Sequence, residues 1–242
     1  MRMALALIAM LALGGPAAAV SCRDVVWEGV DMVACEVDAA SADLRLFHSN
    51  DNGELLGQFQ SVDEIAKAEG KSLVFAMNAG MYHSDRAPVG LYVENGDQKT
   101  RLITNRGPGN FGLLPNGVFC IQEGRADVLE TLDYKRRAPG CRFASQSGPM
   151  LVIDGQLHPR FLQDSDSLFI RNGVGTSADG SRAVFVIADE PINFHRFARF
   201  FRDVLDTPNA LYFDGNISRL WWPAGRRRDF GFSMGPIVGV FQ

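Results

Sequence analysis

The chain has 242 residues, of which 46% are hydrophobic and 21% are charged, and its formal net charge is −4. These fractions are ordinary for a globular protein and provide enough apolar side chains for a sizeable core. An acidic chain lacks the basic surface that nucleic acids require, so we expect no nucleic-acid partner.

The first 19 residues have the pattern of a secretory signal peptide. Arg2 is the basic start, residues 3–13 are apolar and too few to span a bilayer, and Ala17-Ala18-Ala19 is a small-residue cleavage site. We expect cleavage after Ala19 and an exported protein, periplasmic or secreted, with no membrane insertion after removal of the signal. A lipid anchor on Cys22 is the alternative, but the residues before it lack the usual leucine.

Residues 20–242 are predicted to form one domain, and they contain all four cysteines. An even number of cysteines in an exported protein indicates disulfides. Three pairings are open. We favour Cys22–Cys35, which would close an N-terminal hairpin, and Cys120–Cys141, which would bracket residues 122–140. A zinc site is the alternative, but no C-x-x-C or Cys/His spacing appears.

Most of the chain reads as short strands separated by turns of Gly, Asn and Asp. The fold class we predict is α+β: a mixed, strand-rich sheet core with a few packed helices. Strands are predicted at 24–30, 32–38, 43–48, 72–77, 89–94, 98–104, 117–122, 125–130, 142–146, 149–153, 167–171, 182–188, 210–214 and 234–240.

Two helices are predicted. Ser61 and Glu64 form a capping box that would open a helix over 62–69, and Gly70 would end it. A longer helix over 193–205 carries apolar residues at helical spacing, which predicts that it packs on a sheet.

Two predicted strands end in polar groups. The apolar run 73–77 gives way to Asn78 and a loop with Tyr82, His83, Asp85 and Arg86, and the run 210–213 enters Asp214-Gly215-Asn216. Rigid elements commonly present functional groups in this way. We therefore expect both strand ends to line one cleft.

Five segments, in this order, resemble the phosphodiester glycosidase family. The resemblance covers nearly all of the chain after the signal, and it implies the family's fold and a hydrolase that cleaves a sugar from a sugar 1-phosphodiester. The segments are FAMNAGMYHSDRAPVGLYV, NFGLLPNGVFCI, ASQSGPMLVIDG, RNGVGTSADGSRAVFVIAD and ALYFDGNISRLWWP.

Two motifs depart from the family. Residues 78–82 read Asn-Ala-Gly-Met-Tyr where the family often has Asn-Gly-Gly-Phe-Phe, and residues 214–218 read Asp-Gly-Asn-Ile-Ser where it often has Asp-Gly-Gly-Gly-Ser. Larger groups replace glycine at both places. The expectation is a narrower cleft floor and a sugar other than N-acetylglucosamine.

The implied reaction needs a carboxylate near the anomeric carbon, and glycosidases usually supply two carboxyl groups. Asp214 is the first candidate, because it ends a strand beside a glycine; capping of the following turn is its alternative role. Asp85 is the second carboxyl and His83 a proton carrier, with a solvated loop as the alternative. Asp189 and Glu190 compete for the second role, or they favour the dipole of the following helix.

The substrate's phosphate and hydroxyl groups need hydrogen-bonding partners. Arg171, beside two glycines, is the predicted phosphate contact, against a structural ion pair, and Arg86 is its rival. The resemblance implies that Gln146 and Ser147 bond the sugar. The remaining predicted substrate contacts are Asn78, Tyr82, Asn116, Gly215 and Asn216, with turn formation the alternative for the asparagines.

No cofactor is required by this reading, although a divalent cation such as calcium among Asp214, Asp85 and loop carbonyls is an alternative. The expected partner is a small carbohydrate or glycan-phosphate substrate, and the oligomeric state stays open. A second function fits the same fold: a non-catalytic module that binds envelope glycans or glycan phosphates.

Overall fold

The computed structural model describes residues 19–215 and 217–242. The predicted signal peptide, except Ala19, and the predicted contact Asn216 lie outside the described residues. Seven strands form an antiparallel sheet. Their order is β1 (Val20–Trp27), β2 (Val30–Asp38), β13 (Arg182–Ala188), β12 (Asn172–Thr176), β14 (Asn209–Tyr212), β10 (Met150–Ile153) and β11 (Gln156–Leu157).

The other described strands form two five-stranded antiparallel sheets. One has the order β16 (Arg227–Arg228), β15 (Leu220–Trp222), β4 (Leu73–Asn78), β17 (Ile237–Phe241) and β3 (Asp43–Phe47). The other has the order β6 (Asp97–Thr100), β5 (Tyr92–Glu94), β9 (Phe143–Ser147), β7 (Gly117–Gln122) and β8 (Arg125–Glu130).

One cluster of phenylalanines joins the three sheets. The ring of Phe185 in β13 lies 5.0 Å from that of Phe75 in β4 and 5.6 Å from that of Phe119 in β7. Phe119 also contacts Phe213, with ring centroids 6.2 Å apart. All four side chains are fully buried. The core therefore fixes the residue that directly precedes Asp214.

The helices lie outside this core. α1 (Phe59–Ala68) buries Phe59, Val62 and Ala66 in a cluster with residues of β15 and β17. α2 (Thr131–Arg137) follows β8. α3 (Phe194–Arg199) continues as a π-helical turn, Phe200–Val204, and buries its aromatic stripe against the seven-stranded sheet. No helix within the described ranges is long and apolar enough to span a membrane.

The strand-rich prediction is confirmed, with few helices around it. Four elements were not predicted, α2, β11, β15 and β16, and two predicted features were wrong. Residues 167–171 are not a strand; the strand is β12, which begins at Asn172. The capping box does not form, because α1 begins earlier, at Phe59, after Gln58. Asp63 instead accepts a hydrogen bond from the Leu73 N–H (3.3 Å).

Both favoured disulfides form. Cys22 and Cys35 are directly opposite each other in the β1–β2 ladder. Cys120, in β7, is bonded to Cys141, just before β9. The Cys22 sulfur is thus already engaged, which argues against the lipid-anchor alternative. Two disulfides agree with an oxidising compartment.

Replacing Cys120 and Cys141 by alanine should lower the free energy of unfolding by about 3 kcal/mol, since the bond closes a long loop in the unfolded chain. Urea unfolding, followed by tryptophan fluorescence, measures this change. Replacement of the exposed Ser84 by alanine is the matched control. A loss below about 0.5 kcal/mol would show that the bond adds little stability to this fold.

Candidate functional site

Two strand ends from different sheets meet through buried amides. The Asn172 Nδ2 donates to Asn78 Oδ1, and Asn172 Oδ1 accepts from the Asp214 N–H (3.2 Å). Asn78 Oδ1 also accepts from the Arg219 N–H (3.1 Å). Asn78 ends β4 and Asn172 begins β12, so this amide relay holds Asp214 where the two sheets join. The relay confirms that the two predicted strand ends come together.

A cleft of about 630 Å³ opens at this junction, a size suited to a small-molecule ligand. Its walls combine apolar and aromatic side chains with a few polar groups. The described lining residues are Met81, Tyr82, His83, Val89, Ile103, Asn105, Arg106, Gly107, Pro108, Gly109, Asn110, Phe111, Phe169, Tyr212, Asp214 and Gly215.

Asp214 is the sole carboxylate among these described lining residues, and it is 9% exposed. Its Oδ1 accepts from the Gly215 N–H (2.6 Å), and its main-chain oxygen accepts from Ser218 Oγ (3.1 Å). A Cβ on Gly215 would overlap the Tyr212 hydroxyl. Glycine is therefore required here, because the backbone passes directly against Tyr212.

Tyr82 and His83 form the opposite wall. Burial raises the pKa of the Tyr82 phenol, and the charge of Asp214 raises it further, so the hydroxyl stays protonated and can donate a hydrogen bond. His83 is exposed, and its main-chain N–H donates to Ala87 O (2.9 Å). The two side chains thus offer the cleft a hydroxyl donor and an imidazole.

His48 supports this loop from outside the cleft, and no local sequence pattern indicates this role. Its Nε2 bonds to the Arg86 main-chain oxygen (2.9 Å), and its Nδ1 bonds to Ser49 Oγ (2.9 Å). A carbonyl oxygen only accepts, so Nε2 carries the proton and Nδ1 accepts from the serine. This fixes the loop that carries Tyr82 and His83.

Glu94 lies next to this support. Burial raises the pKa of its carboxyl to about 6, although the His48 main-chain N–H that bonds to it acts in the opposite direction. Folding therefore disfavours the ionised form of this side chain.

Asp85 does not line the cleft. It is exposed, and its carboxylate accepts from the Ala87 N–H (3.0 Å) within the loop. Arg86 likewise turns away, donating to Ser84 O (2.9 Å) while its guanidinium lies 5.4 Å from the Tyr82 ring centroid. The geometry gives both residues a role in the shape of the loop.

Three predicted sugar contacts are buried and already hydrogen-bonded to protein. Gln146 Oε1 accepts from the main-chain N–H groups of Leu91 (3.1 Å) and Ile103 (3.0 Å). Ser147 Oγ donates to Phe213 O (2.9 Å), and Asn116 Nδ2 donates to Phe111 O (3.0 Å). These side chains hold the cleft walls in position and do not line the cleft.

Arg171 does not reach the cleft either, because surrounding groups enclose the side chain that was predicted to contact phosphate. Its side chain is fully buried; Nε donates to Ile192 O (2.7 Å) and Nη2 to Ser167 O (2.9 Å). The guanidinium carbon lies 3.6 Å from the Phe194 ring centroid and 5.5 Å from that of Tyr212. Arg171 thus supports the cleft from below through Tyr212.

The cleft gives no support to Asp189 or Glu190 as the second carboxyl group, or to a bound divalent cation. Asp189 pairs with Arg227 (2.6 Å), and Glu190 is exposed; neither lines the cleft. Within residues 19–215 and 217–242, no three His, Cys, Asp or Glu side chains cluster as metal ligands.

The expected narrowing of the floor by residues larger than glycine is not seen at the described positions, and Asn216 lies outside the described residues. Ala79 is fully buried in the core, and Ile217 packs against the cluster under α1. Neither lines the cleft. Of the described residues in the two departing motifs, Met81 and Tyr82 line it beside Asp214 and Gly215.

The loop 105–111 was missed as part of the site. It contributes Asn105, Arg106 and Asn110 to one wall, and Phe111 closes it. Its Gly and Pro residues were a signal for an irregular loop, but the partners of that loop lie far away in sequence. Tyr212 and Asn172 were missed because each belongs to a strand.

A family model matches most of the chain, and one relative is similar in sequence. Residues 71–232 match the family model described as phosphodiester glycosidase, a range that contains every described lining residue. The uncharacterized protein YigE of Escherichia coli (strain K12) is 35% identical over 192 residues, which is 79% of this chain and 74% of YigE.

Solved structures share the fold at low identity. The catalytic domain of zebrafish N-acetylglucosamine-1-phosphodiester alpha-N-acetylglucosaminidase, auto-inhibited by its pro-peptide, has a TM-score of 0.60 at 13% identity, covering 93% of this chain and 84% of that chain. A hypothetical protein from Synechocystis has 0.57 at 14%, covering 91% and 61%. An exported protein from Burkholderia pseudomallei K96243 has 0.57 at 12%, covering 87% and 74%.

Gly215→Ala should displace the Tyr212 hydroxyl and reduce ligand binding or turnover at the cleft at least tenfold, because the new methyl group overlaps that oxygen. Gly140→Ala is the control, since a Cβ there meets open space. In a Tyr212→Phe background the same Gly215→Ala change should cost much less. Equal losses in both backgrounds would contradict this explanation.

Glu94→Gln should stabilise the fold by about 1 kcal/mol at pH 7.5 and leave it unchanged at pH 4, after allowance for partial exposure. The carboxyl's pKa is raised by folding, so its stabilising contribution is present at low pH and is lost as pH rises through about 6. Urea unfolding at both pH values measures the difference. The exposed Glu123, changed to Gln, is the control, and an equal effect at both pH values would rule out titration as the cause.

Proposed function

The chain belongs to the phosphodiester glycosidase family, and from this premise we propose that it is an exported hydrolase that releases a sugar from a sugar 1-phosphodiester. In this reaction the bond between the anomeric carbon and the phosphate oxygen breaks. Water supplies the new hydroxyl of the sugar, and a phosphate monoester leaves. Two disulfides support an oxidising, extracytoplasmic compartment.

The observation that carries the proposal is that Asp214 is the one carboxylate among the described lining residues of a partly aromatic cleft. Positive charge develops at the anomeric carbon in the transition state, and a fixed carboxylate stabilises it in a site with little water. Ordinary glycosidases add a second carboxyl group as acid. A phosphate monoester, whose second pKa is about 6, leaves more easily than an alkoxide and needs less acid assistance.

Other residues of the cleft wall bind the substrate and transfer protons in this proposal. The rings of Phe111 and the half-exposed Phe169 line the cleft, where the apolar face of a sugar can stack. Asn105 and Asn110 offer amides to hydroxyl groups, and Arg106 offers a guanidinium to phosphate oxygens. His83 is the proton carrier for the attacking water, and the protonated Tyr82 hydroxyl donates to an oxygen of the substrate.

Asp214→Asn should lower kcat at least about 1,000-fold, equivalent to ~4 kcal/mol of transition-state stabilisation, while the substrate still binds. The assay uses methyl phosphodiesters of common sugar 1-phosphates in both anomeric forms, in water labelled with oxygen-18. Release of methyl phosphate with the label in the sugar identifies cleavage at the anomeric carbon. Label in the phosphate would contradict the proposed bond cleavage.

Two further variants sharpen this test. Asp97→Asn, in an exposed strand away from the cleft, is the control and should keep full activity. Asp85→Asn separates the two views of the loop: a change of less than about threefold agrees with the geometry, and a loss like that of Asp214→Asn would restore Asp85 as the second carboxyl. Binding without turnover by the unaltered protein on the whole panel would favour the glycan-binding module.

A further inference from the structure

Two buried donors at the amide relay lack a hydrogen-bond partner among the described residues. They are Asn78 Nδ2 and Arg219 Nη1. Asn78 is fully buried and Arg219 is 8% exposed. Buried hydrogen-bond donors are nearly always paired in native proteins, so two unpaired donors (orphans) in one place need an explanation.

The two donors are neighbours in space. The Arg219 N–H donates to Asn78 Oδ1, and the same oxygen accepts from Asn172 Nδ2. Two donors on one atom identify it as the amide oxygen, so an exchanged orientation of the Asn78 amide does not remove the orphan. Asn78 Nδ2 is therefore a true unpaired donor at the amide relay.

The Arg219 guanidinium carries a positive charge in addition to its unpaired Nη1 donor. It forms no ion pair with any described residue, and Asp229, a carboxylate whose charge acts on it, already binds Arg227 (3.1 Å). Burial lowers the pKa of the Arg219 guanidinium, but an arginine stays charged in proteins. A water molecule could satisfy the donors, but it could not balance this charge.

Neither Arg219 nor Asn78 is among the described lining residues; the guanidinium lies behind the wall that Tyr82 forms. Its charge acts on Tyr82, the same lining residue whose pKa responds to Asp214. On its other side, the main chain of Gly231 lies so close that a Cβ there would touch Arg219 Nη2 (2.5 Å). Arg219 is thus confined between Tyr82 and the loop before β17.

We propose that Arg219, with Asn78 as its companion donor, supplies the fixed positive charge that selects the phosphate group of the substrate. This inference rests on the proposed function for its substrate class and assigns to Arg219 the role expected of Arg171. A multivalent anion with several acceptor oxygens matches an unpaired cation next to an unpaired amide. In the partly dry interior such a charge attracts an anion more strongly than a surface arginine does.

Inorganic phosphate is the probe, since it resembles the leaving group and binds without turnover. It should raise the melting temperature of the unaltered mature chain, and Arg219→Gln should weaken its binding at least tenfold. Arg219→Lys should retain part of the affinity, because lysine keeps the charge but loses the planar fork. Arg23→Gln removes the same charge from an exposed position on the edge strand β1 and should bind phosphate normally.

Stability in the absence of phosphate separates this role from a structural one. Arg219→Gln should then melt at or above the temperature of the unaltered protein, because it removes a buried, unpaired charge. Failure of this variant to fold, phosphate affinity within twofold of the unaltered protein, or no phosphate binding at all would each overturn the inference. Phosphate binding through Arg219 without sugar release from any diester would refute the hydrolase alone.

Discussion

The site depends on one buried hydrogen bond, that between the side chains of Asn78 and Asn172. The two residues belong to different sheets, and neither sheet alone contains the cleft. The bond connects the end of β4 to the beginning of β12, and the second amide group of the pair continues to the main chain of Asp214. Because all three groups are buried, rotating any one of them would leave another unpaired. The relay therefore fixes the acid more firmly than its own loop could.

The surrounding electrostatics suit an anionic substrate with a good leaving group. Asp214 is the sole described carboxylate of the cleft, whereas Arg106 lies on the cleft wall and Arg219 lies behind Tyr82. In the proposed reaction, one negative charge faces the developing cation while positive groups hold the phosphate. A second carboxylate at the same place would repel that phosphate. The absence of a second acid from the described lining is thus consistent with the chemistry of the family.

The sequence predicted what local patterns determine. The disulfides followed from cysteine number and spacing, and most strands followed from alternation and turn residues. The prediction placed the β12 strand too early, at 167–171, because Asn172-Gly-Val-Gly contains two glycines and resembles a loop. In the fold, a Cβ on Gly173 would contact Leu211 O and one on Gly175 would contact Phe201, so close packing requires these glycines. Such packing partners lie outside any local window.

The two buried arginines show the same limit of prediction from local sequence. Arg171 and Arg219 both lie next to a strand of the cleft, and both are buried. Arg171 Nε and Nη2 donate to two carbonyl oxygens and its guanidinium packs on aromatic rings, whereas no described carbonyl oxygen accepts from the Arg219 guanidinium. Nη1 lacks a described partner in both residues. The difference comes from Ile192, Ser167 and Phe194, which approach Arg171 from elsewhere in the chain.

If the proposed function holds, selectivity among sugars arises from only part of the sequence difference from the family. Ala79 and Ile217 are larger than the glycines they replace, but both pack inside the protein. Met81 and the loop 105–111 face the cleft, and Gln146 holds that loop through the main chain of Ile103. A change in Met81 alters cleft shape directly, whereas a change in Ala79 has to act through the core that positions Asn78. The first kind of change can alter sugar preference without disturbing the relay, so the cleft wall, not the strand end beneath it, is where this fold can vary its substrate.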